Sequence, residues 1–210
     1  MKKSYWEKFY SERPLDQIPW QRTQADWFKH SVDSGAIAGK TSLDLGCGTG
    51  MKSIYLAQNG FKTVGIDISP SAINYAKKNA NEAGVADKVD FYVGDILDLN
   101  FLGDLKFDFV LDWAALHCIE RSEHRKYLQQ ILKHSKLGTL FMLRVFSSND
   151  TAKSNFIDEN QGAVSNVCVF QKDEIIELFG NDFEILEFKK SLPQRKDNLT
   201  FIEFLMKRKS

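Results

Sequence analysis

The sequence predicts an α/β protein in which βα units build a parallel sheet. Three observations carry that prediction. Strand-like and helix-like runs alternate from residue 41 onward, a glycine-rich turn joins the first of these strands to the first of these helices, and acidic residues recur at the ends of successive strands. The chain has 210 residues, 43% of them hydrophobic and 27% charged, which fits one soluble domain rather than a disordered or fibrous chain. Lys+Arg and Asp+Glu both number 28, so the net charge is zero. That balance lacks the excess positive field that draws a protein onto nucleic acid. Met1-Lys2-Lys3 is followed by no apolar run, and no later stretch has the length of a membrane span, so neither a signal peptide nor a membrane partner is expected. The odd, dispersed cysteines Cys47, Cys118 and Cys168 outline neither a disulfide framework nor a metal site, which suits a reducing, cytoplasmic setting.

The elements follow in order. Thr41–Leu45 is a short apolar strand that enters the glycine turn, and a helix starting near Met51 is stopped by Gly60. Residues 63–67 form the next strand. Ser69 caps the following helix, Pro70 suits its first turn, and Ala72, Ile73, Ala76, Ala80 and Ala83 repeat at helical spacing until Gly84. Val89–Val93 and residues 107–111 are the third and fourth strands, a helix covers about 122–134, and 139–146 is a buried fifth strand. Residues 147–169 lose this rhythm and read as a long loop, a feature that is commonly functional. A helix over Lys172–Phe179 and two mutually antiparallel strands, 183–189 and 200–207, complete the chain. Before the first strand, Tyr5, Trp6, Phe9, Tyr10, Trp20, Trp27 and Phe28 crowd residues 1–40, which are expected to form an aromatic cap or lid on the domain made by residues 41–210.

The strongest local signal is Asp44-Leu45-Gly46-Cys47-Gly48-Thr49-Gly50, where glycines allow a tight turn and the close approach of a ligand to the backbone. A dinucleotide fingerprint requires G-x-G-x-x-G, but Met51 follows Gly50, so the NAD reading fails at its third glycine; no Lys-Ser/Thr pair marks a phosphate loop. Asp67 ends the second strand about twenty residues beyond the loop, where a carboxylate can accept from both hydroxyls of a ribose. Asp95, in Gly94-Asp95-Ile96, is placed to receive an adenine amine while Ile96 packs on the ring. Asp112 ends the fourth strand. Four strands thus bring Asp44, Asp67, Asp95 and Asp112 to one carboxyl edge, where open α/β sheets bind ligands.

With these motifs the sequence resembles the class I S-adenosylmethionine-dependent methyltransferases over nearly its whole length. Leu43 to Gly50, Val64-Gly65-Ile66-Asp67-Ile68-Ser69, Gly94-Asp95-Ile96 and Phe107 to Asp112 carry the resemblance. It implies a three-layer, Rossmann-like methyltransferase fold with a seven-stranded, mostly parallel sheet whose last strand runs antiparallel. It also implies S-adenosylmethionine as cofactor: Asp44, Gly46, Cys47, Gly48 and Gly50 around its aminoacyl part, Asp67 and Ile68 at the ribose, and Gly94, Asp95 and Ile96 at the adenine. Tyr5-Trp6-Glu7-Lys8-Phe9-Tyr10 with Pro19-Trp20, and Asp112-Trp113-Ala114-Ala115-Leu116-His117, are similar to the small-molecule branch containing thiopurine and tellurite methyltransferases. That likeness would place Trp6 and Tyr10 over the cofactor, Asp112 and Trp113 beside it, and Trp20 at the mouth of the site.

A sulfonium methyl donor needs alignment and dryness more than a base. His117 is the candidate base by position, and Arg144, near the end of the fifth strand, is a candidate for an anionic group of the acceptor. The histidines show no ligand spacing, so no metal is assigned. The expected acceptor is a small soft nucleophile, a thiol or chalcogen compound, because a thiol with pKa near 8.5 already supplies thiolate at neutral pH. A protein or RNA acceptor, or a module that binds the cofactor without turnover, is the alternative.

Overall fold

The computed structural model describes residues 3–18, 26–148, 155–157, 166–191 and 199–209. The strands are β1 (Thr41–Leu45), β2 (Lys62–Asp67), β3 (Val89–Val93), β4 (Phe107–Trp113), β5 (Ser135–Ser148), β6 (Asn155–Ile157), β7 (Asn166–Cys168), β8 (Phe183–Lys190) and β9 (Leu199–Arg208). The α-helices are α1 (Lys3–Ser11), α2 (Asp26–Asp33), α3 (Met51–Gln58), α4 (Pro70–Glu82), α5 (His124–Lys133) and α6 (Lys172–Phe179). Seven strands form one sheet in the order β3-β2-β1-β4-β5-β9-β8, and β6 pairs with β7 in a separate ladder. Two compact units divide the chain: Lys2–Gly103 with Phe107–Phe109, and Asp104–Lys106 with Val110–Ser210.

In the first unit β1, β2 and β3 are parallel neighbours. β1 is buried along nearly its whole length, as expected of a strand covered on both faces. Its buried hydroxyl is satisfied sideways, Ser42 Oγ lying 2.8 Å from Thr63 Oγ1. The amino end of β1 is fixed by Asp108, which accepts from the N–H groups of Lys40 (2.7 Å) and Thr41 (3.0 Å). α4 realises its sequence signals: Ser69 Oγ accepts from Ala72 N, Pro70 occupies the first turn, and the apolar stripe is buried. Phe91 sits opposite Gly65 in the β2–β3 register, and a β-carbon on Gly65 would lie 2.7 Å from its ring. The same ring lies 2.7 Å from where a β-carbon of Gly50 would stand. One aromatic side chain therefore fills the space two absent side chains leave.

The aromatic amino-terminal segment packs on α4. Phe9, Tyr10 and Ile18 form a buried cluster with Ala72, and Trp6 and Leu15 lean against it.

The second unit departs from the sequence reading at two places. β5 runs from Ser135 to Ser148, longer at both ends than the expected 139–146. Ser135 Oγ ties the strand's start to Ile131 O of α5, and Gly138 adopts φ +83° where the polar composition suggests a turn. The expected loop over 147–169 contains the last residues of β5 and the antiparallel β6–β7 ladder. Three-residue strands are too short to show a period-two pattern. β9 is antiparallel to both β5 and β8, with an irregularity in the β8 pairing between Ile185 and Glu187. Phe141, Phe179 and Phe183 fill the core between the helix α6 and these strands.

The Phe91 wedge gives a direct test. Gly65→Ala should lower folding stability by about 1–3 kcal/mol through overpacking. In a Phe91→Leu background the added methyl should cost less than in the parent, because the obstructing ring is gone. Urea denaturation of the two single variants and the double variant measures both values.

Candidate active site

The loop of residues 46–50 leaves β1 and enters α3, and its shape is set by backbone chemistry. Gly46, Gly48 and Gly50 have φ of +69°, +53° and +78°, the left-handed region that side chains with a β-carbon rarely enter. Gly46 N and Cys47 N both donate to Ile66 O of β2 (2.8 and 2.9 Å), and Gly50 N donates to Cys47 O (2.9 Å). Asn79, on the buried face of α4, donates from Nδ2 to Thr49 O at 2.9 Å. Asp67, at the end of β2, accepts from Gly48 N through Oδ2 and from Ser69 N through Oδ1, each at 2.9 Å. One carboxylate thus joins the glycine loop to the start of α4. Asp44 in β1 accepts from Ser53 Oγ of α3 at 2.6 Å.

Asp44 and Asp67 are buried, with 2% and 7% of their surface exposed. Burial pushes both carboxyls up to about 6, against the Ser53 hydroxyl and Lys52 charge at Asp44 and the Ser69 and Gly48 N–H groups at Asp67. Cys47 is held well above the ordinary thiol value by burial and by the two carboxylates, so it stays a neutral thiol at neutral pH. Beyond β3, Gly94 N donates to Asp67 O at 2.9 Å, and the exposed Asp95 folds back to accept from Leu97 N. Ile68 and Ile96 are half-buried. In α1, Trp6 is half-buried, whereas Tyr10, expected over the cofactor, is buried against Ala72. Trp20 lies outside the described residues.

Sequence reasoning missed Glu7, Ser53 and Asn79. Ser53 and Asn79 carry a faint signal, as polar residues on the buried faces of α3 and α4. Glu7 carries none, because its partners Ser69 and Ser71 stand more than sixty positions away.

In the second unit the turn after β4 is built on Asp112. Its carboxylate accepts from Ala115 N (2.7 Å), Leu116 N (2.9 Å) and the Tyr127 hydroxyl, and it is fully buried. Burial and Asp112 hold the Tyr127 phenol well above its ordinary value, so it remains a donor. Asp112 therefore shapes the turn. Ala114 sits at φ +85°, a strained position for a residue with a β-carbon, and its N–H donates to Arg144 O.

His117 follows, buried and tilted against Phe146 with ring centroids 4.3 Å apart. Its Nδ1 accepts from Phe146 N at 3.4 Å. Burial, with Arg144 adding to it, lowers its pKa to about 3, so the ring is neutral at pH 7. A base works best with a pKa near the working pH, so this surrounding argues against the expected role of His117 as a general base. Arg144 lies between two aromatic rings, its Cζ 3.7 Å from the Phe201 centroid and 4.8 Å from that of Trp113. Its Nε is 3.3 Å from Glu203 Oε1 across the β5–β9 ladder. That ion pair supplies its counter-charge, and Trp113 remains half-buried beside it. Phe146, Val167 and Val169 form an apolar cluster with Cys118 and Phe201 against it. Among the described residues no group of His, Cys, Asp or Glu is arranged to hold a metal ion.

Comparison with known proteins agrees with this architecture. A model of the "Methyltransferase domain" family matches residues 37–195. The 2-heptyl-1-hydroxyquinolin-4(1H)-one methyltransferase of Mycobacteroides abscessus is 34% identical over 116 residues, which are 55% of this chain and 49% of that protein. Norajmaline N-methyltransferase of Rauvolfia serpentina is 30% identical over 129 residues, 60% of this chain and 43% of that one. The match thus spans just under half the length of these curated relatives. Among solved structures, the 1,6-didemethyltoxoflavin-N1-methyltransferase of Burkholderia thailandensis, with S-adenosylhomocysteine bound, superposes with a TM-score of 0.77 at 18% identity, over 99% of this chain and 87% of that one. A glycine loop under a buried strand-end carboxylate, a seven-stranded sheet with an antiparallel inserted strand, and a family model matching most of the chain lead to one conclusion: the chain belongs to the methyltransferase domain family.

Proposed function

We propose that this protein transfers a methyl group from S-adenosylmethionine to a small-molecule nucleophile. The observation that carries the reading is the loop of residues 46–50, three left-handed glycines pinned by Ile66 O and by the Asp67 carboxylate. The residues present fit the cofactor. The glycines offer backbone without side chains to its aminoacyl part, and Asp67 keeps acceptor capacity for ribose hydroxyls beyond its two backbone bonds. Asp95 and the half-buried Ile68 and Ile96 suit the adenine, and the half-buried Trp6 has surface to offer. The buried carboxyls Asp44 and Asp67 favour a cationic ligand. S-adenosylmethionine, when bound, supplies a methyl group on a positively charged sulfur.

The second unit's residues support a small acceptor that brings its own ionised nucleophile, such as a thiol or related chalcogen compound. His117 is neutral and bonded to the backbone, and Arg144 cannot take a proton. An acceptor bound beside the apolar cluster of Phe146, Val167 and Val169 would be shielded from water, which strengthens a soft nucleophile. The relatives named above support a small-molecule acceptor, and the thiol or chalcogen class rests on the chemistry of the second unit alone. Zero net charge disfavours a nucleic-acid acceptor, and the three free thiols suit a cytoplasmic location. Among the described residues no helix is long and apolar enough to cross a membrane.

Calorimetry should find binding of S-adenosylmethionine and S-adenosylhomocysteine but not of NAD. Asp67→Ala should weaken that binding by about 1.5–3 kcal/mol, the scale of hydrogen bonds to a charged acceptor. Affinity for the cationic cofactor should be level above pH 6 and fall as pH drops through about 6, because the carboxyls that favour a cation then take up protons. Preferential NAD binding overturns the reading.

Release of S-adenosylhomocysteine, followed across thiols, chalcogen oxyanions, phenols, amines, RNA and protein extracts, should report turnover with the small soft nucleophiles. Turnover confined to RNA or protein removes the small-molecule proposal, and binding with no turnover on any acceptor favours the non-catalytic module. His117→Asn should keep kcat within about tenfold and leave the pH profile unmoved, whereas loss of a general base costs about 10²–10⁴-fold. The same substitution should reduce the loss of folding stability below pH 6.5, where the unfolded imidazole protonates and the buried one does not.

A further inference from the structure

Glu7 links the amino-terminal helix to the carboxylate that pins the glycine loop. Its Oε2 accepts from Ser69 Oγ at 2.7 Å and from Ser71 N at 3.1 Å, and its Oε1 accepts from Ser71 Oγ at 2.6 Å. Ser69 is fully buried and fixed on every side. Its hydroxyl donates to Glu7 and accepts from Ala72 N, while its own N–H donates to Asp67 Oδ1 at 2.9 Å. Asp67 Oδ2 in turn accepts from Gly48 N. A continuous run of hydrogen bonds therefore leads from α1 through Ser69 and Asp67 to the glycine loop.

Helix capping alone does not require this arrangement. Ser69 already caps α4 through Ala72 N, so α4 has its side-chain acceptor without Glu7. What Glu7 adds is a charged acceptor that fixes the Ser69 hydroxyl rotor and draws α1 onto the first turn of α4, where the helix dipole favours negative charge. Phe9 and Tyr10 then close on Ala72, three residues from Ser69. Fixing Ser69 fixes the N–H that orients Asp67. Because burial raises the pKa of Asp67, that carboxylate depends on such donors to stay ionised and in one orientation.

We propose that Glu7 is a positioning residue for the ribose of the methyl donor, acting through Ser69 on Asp67, and that occupancy of Asp67 tightens α1 in return. The proposal rests on the reading that Asp67 binds the ribose. Coupling of this kind is reciprocal: whatever α1 contributes to affinity, ligand returns to α1 as protection.

The test is a double-variant cycle on the full chain, with S-adenosylhomocysteine as the probe in calorimetry and thermal melts confirming that each variant is folded. Glu7→Ala should raise Kd about tenfold in the parent and less than about twofold in an Asp67→Asn background, a coupling of about 1 kcal/mol. Glu7→Gln, which keeps a carbonyl acceptor for Ser69 and Ser71, should restore Kd to within about threefold of the parent. Ser71→Ala, which removes one anchor of Glu7 without touching Asp67, should move Kd in the same direction by less, and it carries the test if Glu7→Ala does not fold. Hydrogen exchange of the α1 amides should slow when the probe is added to the parent and not in Asp67→Asn. Equal losses from Glu7→Ala in both backgrounds, or an unchanged Kd in the parent, overturn the role of Glu7 while leaving Asp67 in place. An unchanged Kd for Asp67→Asn alone overturns the ribose reading and the proposal with it.

Discussion

The Asp67 carboxylate is the constraint on which the first unit depends. It stands where β2 ends, and its two oxygens take one backbone N–H from the glycine loop and one from the start of α4. A neutral side chain at this place could not hold two segments with charge-assisted bonds, and an exposed carboxylate would leave them to solvent. Burial makes the arrangement costly, as its raised pKa records, and the surrounding donors offset that cost. The glycines at 46, 48 and 50 are the conformational counterpart, since only backbone free of β-carbons can bend into reach of Asp67 and beneath the Phe91 ring.

The second unit solves a different problem with the same means. Asp112 is another strand-end carboxylate, but it is turned inward onto two N–H groups and a tyrosine, so its charge goes into shaping a turn. The turn carries the strained Ala114 and delivers His117 against Phe146. Arg144 is likewise committed, paired with Glu203 and stacked between rings. The result is an apolar and aromatic cluster whose charged neighbours Asp112 and Arg144 have partners within the fold.

Much of this was legible in the sequence because local signals and tertiary demands coincided. β1, β3 and α6 matched their expected limits, since an apolar run between turn residues or a periodic stripe ending in glycine has one good solution. The glycine turn and the strand-end position of Asp67 were legible for the same reason. The inward turn of Asp112 and the burial of His117 were not, because a position at a strand end says nothing about which way a carboxylate turns or how dry a ring becomes. Tyr127, which turns Asp112 inward, and Glu7, which grips Ser69, are remote in sequence from the groups they control. The start of β5 was obscured by Lys136, Leu137 and Gly138, a turn-like composition that the strand accommodates with one left-handed glycine.

The placing of β9 between β5 and β8 has a consequence for assembly. β8 emerges first during synthesis yet has no partner in the sheet until β9 exists, because its ladder is made with β9 and not with β5. Until then the long edge of β5, with Phe141, Leu143 and Val145, lacks its antiparallel neighbour. An unpaired, apolar strand edge is a template for association between chains. β8 and β9 can pair with each other as a hairpin, but the β5 edge stays open through the interval before β9 docks on it. Chaperone dependence and loss to aggregation should concentrate in that interval, and substitutions along β9 should lower the yield of soluble protein more than their effect on the finished fold would suggest.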